Sequence, residues 1–354
     1  MFNVTDTAWK FGCGRYIQRA DALKELEHEI MLCGNRPFFI TGKRSIEAVR
    51  AVYPNMKEPE EGHFFQYTGP CSMEMGEKLA ALISKGKDSC VVGIGGGKIM
   101  DLTKLAGKLA GVRVIQVPTI SATCAATTCL SVLYDEHWST TGSYYYESEV
   151  DAVIVDTEIL CRQPYRYAAA GILDSMAKAC EIIHHGEIVE QKADLYFAYS
   201  MAKHIFSRLY AIYPKAIGDI KNNVNSKEVE ELAFLTIGAT GIVSGTARGS
   251  FQTAIAHAVY EEGRKRYPAE LLPSLHGEIV GVGMRYQCRY TGRYEKEVEE
   301  ILLKTDMPRY LRDIGLGKEY IPDLADGMAQ RLIDTGKKID KCRLEKIMFD
   351  MENE

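Results

Sequence analysis

The chain has no cysteines spaced C-x-x-C, no excess of basic charge, and no apolar run approaching the roughly 18 residues that a bilayer span needs. Each absence removes a class. The 10 cysteines are scattered from Cys13 to Cys342, so they read as free thiols of a reducing compartment rather than as a disulfide framework. A formal net charge of -5 over 354 residues offers no electrostatic footprint for nucleic acid or for a basic membrane-binding surface. The opening stretch MFNVTDTAWKFG lacks the charged-then-apolar layout of a signal peptide. The expected partner is a small molecule, and the expected compartment is the cytoplasm. No internal repeat or low-complexity tract breaks the chain.

What is present is a globular composition, 46% hydrophobic and 26% charged, in a chain long enough for one large or two medium cores. Its two halves differ in texture. Short β-branched runs at 37–41, 89–94, 112–118 and 151–156 read as strands, and MEMGEKLAALISKG and KIMDLTKLAGKLAG between them place apolar residues three and four apart, as half-buried helices do. That alternation predicts βαβ units on a mostly parallel sheet. STTGSYYYESEV (139–150) breaks the pattern and reads as an inserted hairpin. From about Tyr165 onward, helix-period segments take over, among them RYAAAGILDSMAKACEIIHH, SKEVEELAFLTIGATGIVSG and FQTAIAHAVYEEG. The expectation is an α/β N-terminal domain over residues 1–162, with a Rossmann-like parallel sheet, and an all-α C-terminal domain over residues 163–354. The charged end KKIDKCRLEKIMFDMENE reads as a solvated helix.

The most informative stretch is VVGIGGGKIMD (91–101), where a strand-like run meets three glycines, a lysine and an aspartate. Strand, bare turn and helix start together present amide N–H groups and a positive helix end to an anion, and the missing Cβ atoms let a pyrophosphate approach. Two familiar motifs fail on this stretch. The G-x-G-x-x-G fingerprint needs glycine where Lys98 stands, and the P-loop needs glycine at Val92 and a hydroxyl residue at Ile99. A tight βα turn with a surface lysine satisfies the same letters. Asp101 suits the helix dipole, but beside a phosphate it would be repelled unless it served another group such as a sugar hydroxyl or the nicotinamide.

Five ordered blocks, GIGGGKIMD, VPTISATCAATTCLSVLYDE, GILDSMAKACE, AIAHAVYEEG and HGEIVGVGM, resemble the glycerol dehydrogenases of the iron-containing alcohol dehydrogenase superfamily. The likeness runs from about residue 37 to residue 300. It implies a dehydroquinate synthase-like architecture, with dinucleotide phosphates at Gly96, Gly97 and Lys98 and the same cofactor running along Asp101 and Thr119. Thr128, Leu130 and Tyr134 match positions beside the nicotinamide; on the residues alone, Thr128 reads equally as a turn hydroxyl and Leu130 as a core side chain. The resemblance also implies one divalent metal, zinc or ferrous iron, held by Asp174, His257 and His276. Spacing alone does not identify this set, since a lone histidine on a helix is more often a packed residue than a ligand. One carboxylate and two imidazoles do form a borderline donor set that leaves a coordination position open. The adjacent His184 and His185 read as a helix end, where a cation is favoured. Relatives assemble as dimers or octamers, so a homo-oligomer is expected.

Two positions depart from the glycerol-oxidising pattern. Where those enzymes place an aspartate for the adenosine ribose, this chain has Gly42, followed by Lys43 and Arg44. Without an acid to repel a 2′-phosphate and with two cations to pair with it, NADP(H) is expected over NAD(H). Where those enzymes carry a polyol-binding aspartate, this chain has Cys124. Two like charges about 4 Å apart cost about 4 kcal/mol at an effective dielectric near 20, roughly a thousandfold in affinity, so a neutral thiol removes a penalty against an anionic substrate. Cys124 reads equally as a small buried hydrophobe. The ATCAA block is similar to the hydroxycarboxylate dehydrogenase branch, and Arg248 is a candidate partner for a substrate carboxylate. The expected activity is therefore reduction of a short 2-oxo acid or similar small carbonyl. The alternatives are an NAD-dependent glycerol dehydrogenase, a dehydroquinate synthase-like lyase and a non-catalytic relative.

Overall fold

The computed structural model describes residues 9–56, 62–185, 193–247 and 252–354. Its first half is built on a six-stranded, wholly parallel sheet of order β1-β8-β5-β4-β2-β3, formed by β1 (Cys13–Arg19), β2 (Pro37–Thr41), β3 (Phe64–Gln66), β4 (Cys90–Gly95), β5 (Arg113–Pro118) and β8 (Val150–Asp156). A separate antiparallel ribbon pairs β6 (Leu130–Tyr134) with β7 (Thr140–Tyr145). Helices α1 (Leu26–Leu32), α2 (Lys43–Val52), α3 (Met73–Gly86), α4 (Gly97–Ala110) and α5 (Thr157–Leu160) complete this half. The second half is helical: α6 (Tyr165–His184), α7 (Ala193–Lys221), α8 (Lys227–Ala233), α9 (Thr240–Thr246), α10 (Ile255–Arg266), α11 (Pro268–Leu271), α12 (His276–Thr291), α13 (Glu295–Lys304), α14 (Ile321–Asp334) and α15 (Lys341–Glu352).

The central strand explains why the turn after it is well defined. Every residue of β4 is buried, as expected of a strand covered on both faces, where a continuous apolar run replaces alternation. Helix α4 then lies so close that a Cβ at Gly93 would stand 2.4 Å from Thr103 Oγ1 and one at Gly95 would stand 2.7 Å from Ile99. These glycines serve helix–strand packing. Strand order reverses between β2 and β4, and the turns after both strands open at the carboxyl edge, where open parallel sheets bind ligands.

The sheet has core clusters on both faces. One contains Leu79, Ile83, Leu102 and Leu105; the other contains Leu26, Ile30, Val49 and Ile154. The helical half has its own larger core, from Ala168 on α6 to Met351 on α15. Ala233 and Ile237 of the helical half belong to a sheet-side cluster, and the Thr127 hydroxyl donates to the Ile237 carbonyl at 2.6 Å, so the halves are joined by packing and a buried hydrogen bond.

Several expectations need correction. The inserted hairpin pairs 130–134 with 140–145, so the segment at 139–150 is one arm rather than a hairpin in itself. The stretch expected as one helix over 226–245 contains a π-turn over Phe234–Ala239, and the helix expected from FQTA begins only at Ile255. The charged C-terminal helix is amphipathic, with Leu344, Met348 and Met351 in the core. Among the described residues, no helix is long and apolar enough to cross a membrane.

Candidate active site

The turns after β2 and β4 and three helices of the second half face one cleft of about 1290 Å³. On its sheet side, Gly42 precedes α2, and the exposed Lys43 and Arg44 form no ion pair among the described residues. Gly96 is the residue before α4, with extended backbone at φ -89° and ψ -174° and no side chain to cap the helix. The first-turn N–H groups of α4 are therefore open to an anion. The turn is also tight, because a Cβ on Gly96 would lie 2.7 Å from Ile120 and one on Gly97 would lie 3.0 Å from Thr123 Oγ1. Lys98 lies at the cleft with its ammonium 4.2 Å from the centre of the Trp138 ring. Burial, reinforced by Arg264, lowers the Lys98 pKa.

A buried lysine that the sequence reading did not single out organises the loop opposite this turn. Lys104, one turn beyond Asp101 on α4, donates to the carbonyls of Ala125 at 2.6 Å and Thr128 at 3.1 Å, to Thr128 Oγ1 at 3.1 Å and to the Leu130 carbonyl. It also pairs with Asp101 at 3.0 Å. Asp101 lines the cleft, but its other oxygen accepts the Val132 N–H at 3.2 Å. Its carboxyl is raised by burial against the opposing pull of Lys104. Thr128 and Leu130 also line the cleft. Thr119, which the resemblance assigns to the cofactor, is not on the wall: it is buried at the end of β5, where its N–H donates to the Gly95 carbonyl at 3.0 Å. Arg248 lies outside the described residues.

On the helical side, Asp174 from α6, His257 from α10 and His276 from the first turn of α12 offer ligand atoms that all lie within 4.8 Å of one another. Asp174 Oδ1 is 3.3 Å from His257 Nε2 and 3.1 Å from His276 Nε2. The buried Asp174 Oδ2 has no hydrogen-bond partner. A carboxylate with Oδ1 against two imidazole nitrogens and Oδ2 unpartnered offers a donor set that fits a divalent ion of the zinc or ferrous class. Glycines allow the close approach: a Cβ at Gly277 of α12 would stand 1.9 Å from the Ala170 carbonyl oxygen of α6, one at Gly283 of α12 would stand 2.5 Å from that of Ala256 on α10, and one at Gly171 of α6 would stand 1.8 Å from that of Ser121 in the loop after β5.

Further residues shape this set. Glu181, two turns along α6 from Asp174, accepts His257 Nδ1–H at 2.5 Å and the N–H groups of Ala254 at 2.7 Å and His257 at 2.8 Å. It therefore caps α10 from another helix and leaves Nε2 of His257 free for a metal. The Tyr260 ring packs edge-on against His276 at 4.1 Å, and its hydroxyl lies 2.5 Å from that of Tyr134 on the ribbon. Lys178 donates to Asp174 Oδ1 at 2.6 Å. Burial would raise the Asp174 carboxyl, but Lys178 and the two imidazoles hold it well below the usual range. The α6 spacing Asp174, Lys178, Glu181 was visible in the sequence as one helical face.

His184 and His185 do end α6, but not as cations. Burial lowers both, His185 to about 4. Cys124 is buried on the cleft wall, and burial pushes its thiol pKa up, so it stays neutral.

Comparison with known proteins identifies the family. The family model for iron-containing alcohol dehydrogenase matches residues 13–157. Hydroxycarboxylate dehydrogenase A of Escherichia coli is 30% identical over 268 residues, 73% of this chain and 71% of that protein. Glycerol dehydrogenase of Thermotoga maritima is 28% identical over 348 residues, 92% of this chain and 90% of that one. Among solved structures, a probable glycerol dehydrogenase from Sinorhizobium meliloti superposes with a TM-score of 0.84 at 20% identity, covering 98% of each chain. On these matches, the chain belongs to the iron-containing alcohol dehydrogenases and is an oxidoreductase acting on CH–OH groups.

Proposed function

We propose that this enzyme uses NADP(H) and one divalent metal, zinc or ferrous iron, to reduce a short 2-oxo acid to the 2-hydroxy acid. The observation that carries the reading is the single cleft shared by the glycine turn, the Gly42–Arg44 turn, the Asp174, His257 and His276 donors, and the neutral Cys124. In this assignment the N–H groups at Gly96 and Gly97, with the start of α4, hold the pyrophosphate. Lys43 and Arg44 meet the 2′-phosphate, Arg44 by a bidentate contact. The wall formed by Thr128, Leu130 and Tyr134 orients the nicotinamide, which supplies the hydride, while one proton completes the alcohol. When bound, the metal acts as a Lewis acid that polarises the carbonyl and, in reverse, lowers the pKa of the alcohol. Cys124 contributes by carrying no charge against a substrate carboxylate. The similarity to hydroxycarboxylate dehydrogenase A supports the acid substrate, and the longer match to glycerol dehydrogenase supports glycerol and dihydroxyacetone as the second reading.

The test follows NADPH and NADH oxidation with 2-oxobutyrate, short aldehydes and dihydroxyacetone, with zinc or ferrous iron added. Chelator-sensitive NADPH oxidation with 2-oxobutyrate is expected. Turnover confined to NADH and dihydroxyacetone would overturn both the cofactor and the substrate assignment.

A further inference from the structure

Lys178 has no part in the assignment above, yet its ammonium touches one of the candidate metal donors, Asp174. Its side chain is only 13% exposed, it lines the cleft, and among the described residues its hydrogen bond is to Asp174 Oδ1 at 2.6 Å. An ammonium has three N–H donors, so this one is under-used, and its acceptor is the oxygen that also faces both imidazoles.

A divalent ion held by Asp174, His257 and His276 draws on the same carboxylate. The charge balance then changes. Asp174 and Glu181 supply two negative charges against the dication and the Lys178 ammonium, while Glu261, also on the cleft, pairs at 2.9 Å with Arg331, which it shares with Glu262, itself paired with Arg266. A net positive charge remains in a largely buried site, where an uncompensated ion is costly and an anionic partner is favoured. Cys124 lines the same cleft and feels the charge of Lys178, but its thiol stays protonated.

We propose that Lys178 is the residue that selects an anionic substrate: with the metal in place, its free N–H donors take the carboxylate of the 2-oxo acid. This rests on the 2-oxo acid reading and assigns to Lys178 the role expected of Arg248. If Lys178 only neutralised Asp174, its removal would leave ligand preference unchanged.

The experiment compares wild type, Lys178→Met and Lys178→Arg as zinc-loaded proteins. Calorimetry with NADP+ present, so that no turnover occurs, measures binding of 2-oxobutyrate and of its uncharged amide. Zinc affinity is read against a chromophoric chelator. The Met variant is expected to lose about 30-fold or more in 2-oxobutyrate affinity, the scale for truncating a buried charge partner, with amide binding changed less than about threefold. It should bind zinc at least as tightly as wild type, because the competing ammonium is gone. The Arg variant should keep the preference for the acid. Equal losses for acid and amide, no loss for either, or weakened zinc binding in the Met variant would each overturn the proposal. Wild type that turns over dihydroxyacetone but neither binds nor reduces 2-oxobutyrate would instead overturn the functional reading and this inference with it.

Discussion

Replacing Glu181 by glutamine changes one atom and removes one charge, yet it should disable the metal site. The carboxylate takes three N–H donors, two on Oε1 from Ala254 and His257 and one on Oε2 from His257 Nδ1. An amide cannot satisfy all three. If its oxygen faces the two backbone groups, its NH₂ confronts Nδ1–H, and the imidazole must shift its proton to Nε2, the atom turned toward Asp174. If the amide flips, the first-turn N–H groups of α10 lose their acceptor. Hydrogen bonds to a charged group contribute about 1.5–3 kcal/mol each, and loss of such a partner behind a metal-bound histidine costs about 10–100-fold in affinity. Zinc titration of the apo variant against a chromophoric chelator should show a loss in that range. A Glu181→Gln protein that bound zinc as tightly as wild type would refute the claim that Nδ1–H donation fixes the ligand tautomer.

Gly277→Ala should destabilise the fold by about 1–3 kcal/mol or more, because its Cβ would stand 1.9 Å from the Ala170 carbonyl oxygen; an unchanged urea midpoint would mean that α6 and α12 are not so close. Gly42→Asp should be tolerated, since the backbone there is ordinary at φ -85° and the nearest obstacle is Ser45 Oγ at 3.1 Å. It should lower the NADPH-to-NADH ratio of kcat/KM at least about tenfold, whereas an unchanged ratio would put the adenosine ribose elsewhere. Cys124→Asp should reduce use of 2-oxobutyrate relative to dihydroxyacetone, with about a thousandfold as the upper bound; an unchanged ratio of kcat/KM would count against the charge argument. His185 is held neutral in the fold, lowered from 6.5 to about 4 first by burial and then by His184 and Lys337. The native state therefore binds fewer protons than the unfolded state in this window, so its stability is present above pH 6.5 and declines on acidification toward pH 4, by up to about 3 kcal/mol. Urea unfolding at pH 7.5 and pH 5 should show a smaller loss for His185→Gln than for wild type; equal losses would remove His185 as the cause.

How much of this was legible in the letters depends on whether local chemistry or a distant partner determined each feature. The bounds of α3 follow from its own residues: apolar spacing, Ser72 accepting the Met75 N–H as N-cap, and a turn at Lys87. The buried β4 run and its glycine turn were equally plain. In contrast, β1 went unseen because CGRYIQR is an edge strand, largely half-exposed with no apolar run, and β3 is only three residues long. The start of α10 could not be read from its own sequence, since its cap is a carboxylate from α6. The metal donors stand 83 and 102 residues apart along the chain from Asp174, so only the family resemblance reached them. Charged residues four and seven places along a helix usually mean a solvated face, which is why Lys178 and Glu181 stayed unread although both are largely buried.

The site therefore divides its tasks between two kinds of residue. Lys104 and Glu181 are buried charges whose donors or acceptors are consumed by backbone groups, and each holds in place a segment that no helix or sheet ladder would fix: the 125–130 loop in one half and the 254–257 helix start in the other. Changing either alters the shape of the cleft. Cys124, Lys43 and Arg44 point at the same space, but the fold does not depend on their side chains for an ion pair among the described residues. Substitution there can alter which cofactor or substrate is accepted while leaving the donor geometry intact. Specificity changes in this enzyme should thus be obtainable at the exposed Lys43 and Arg44 without loss of stability, whereas substitution of Lys104 should lower stability and substitution of Glu181 should lower stability and metal affinity together.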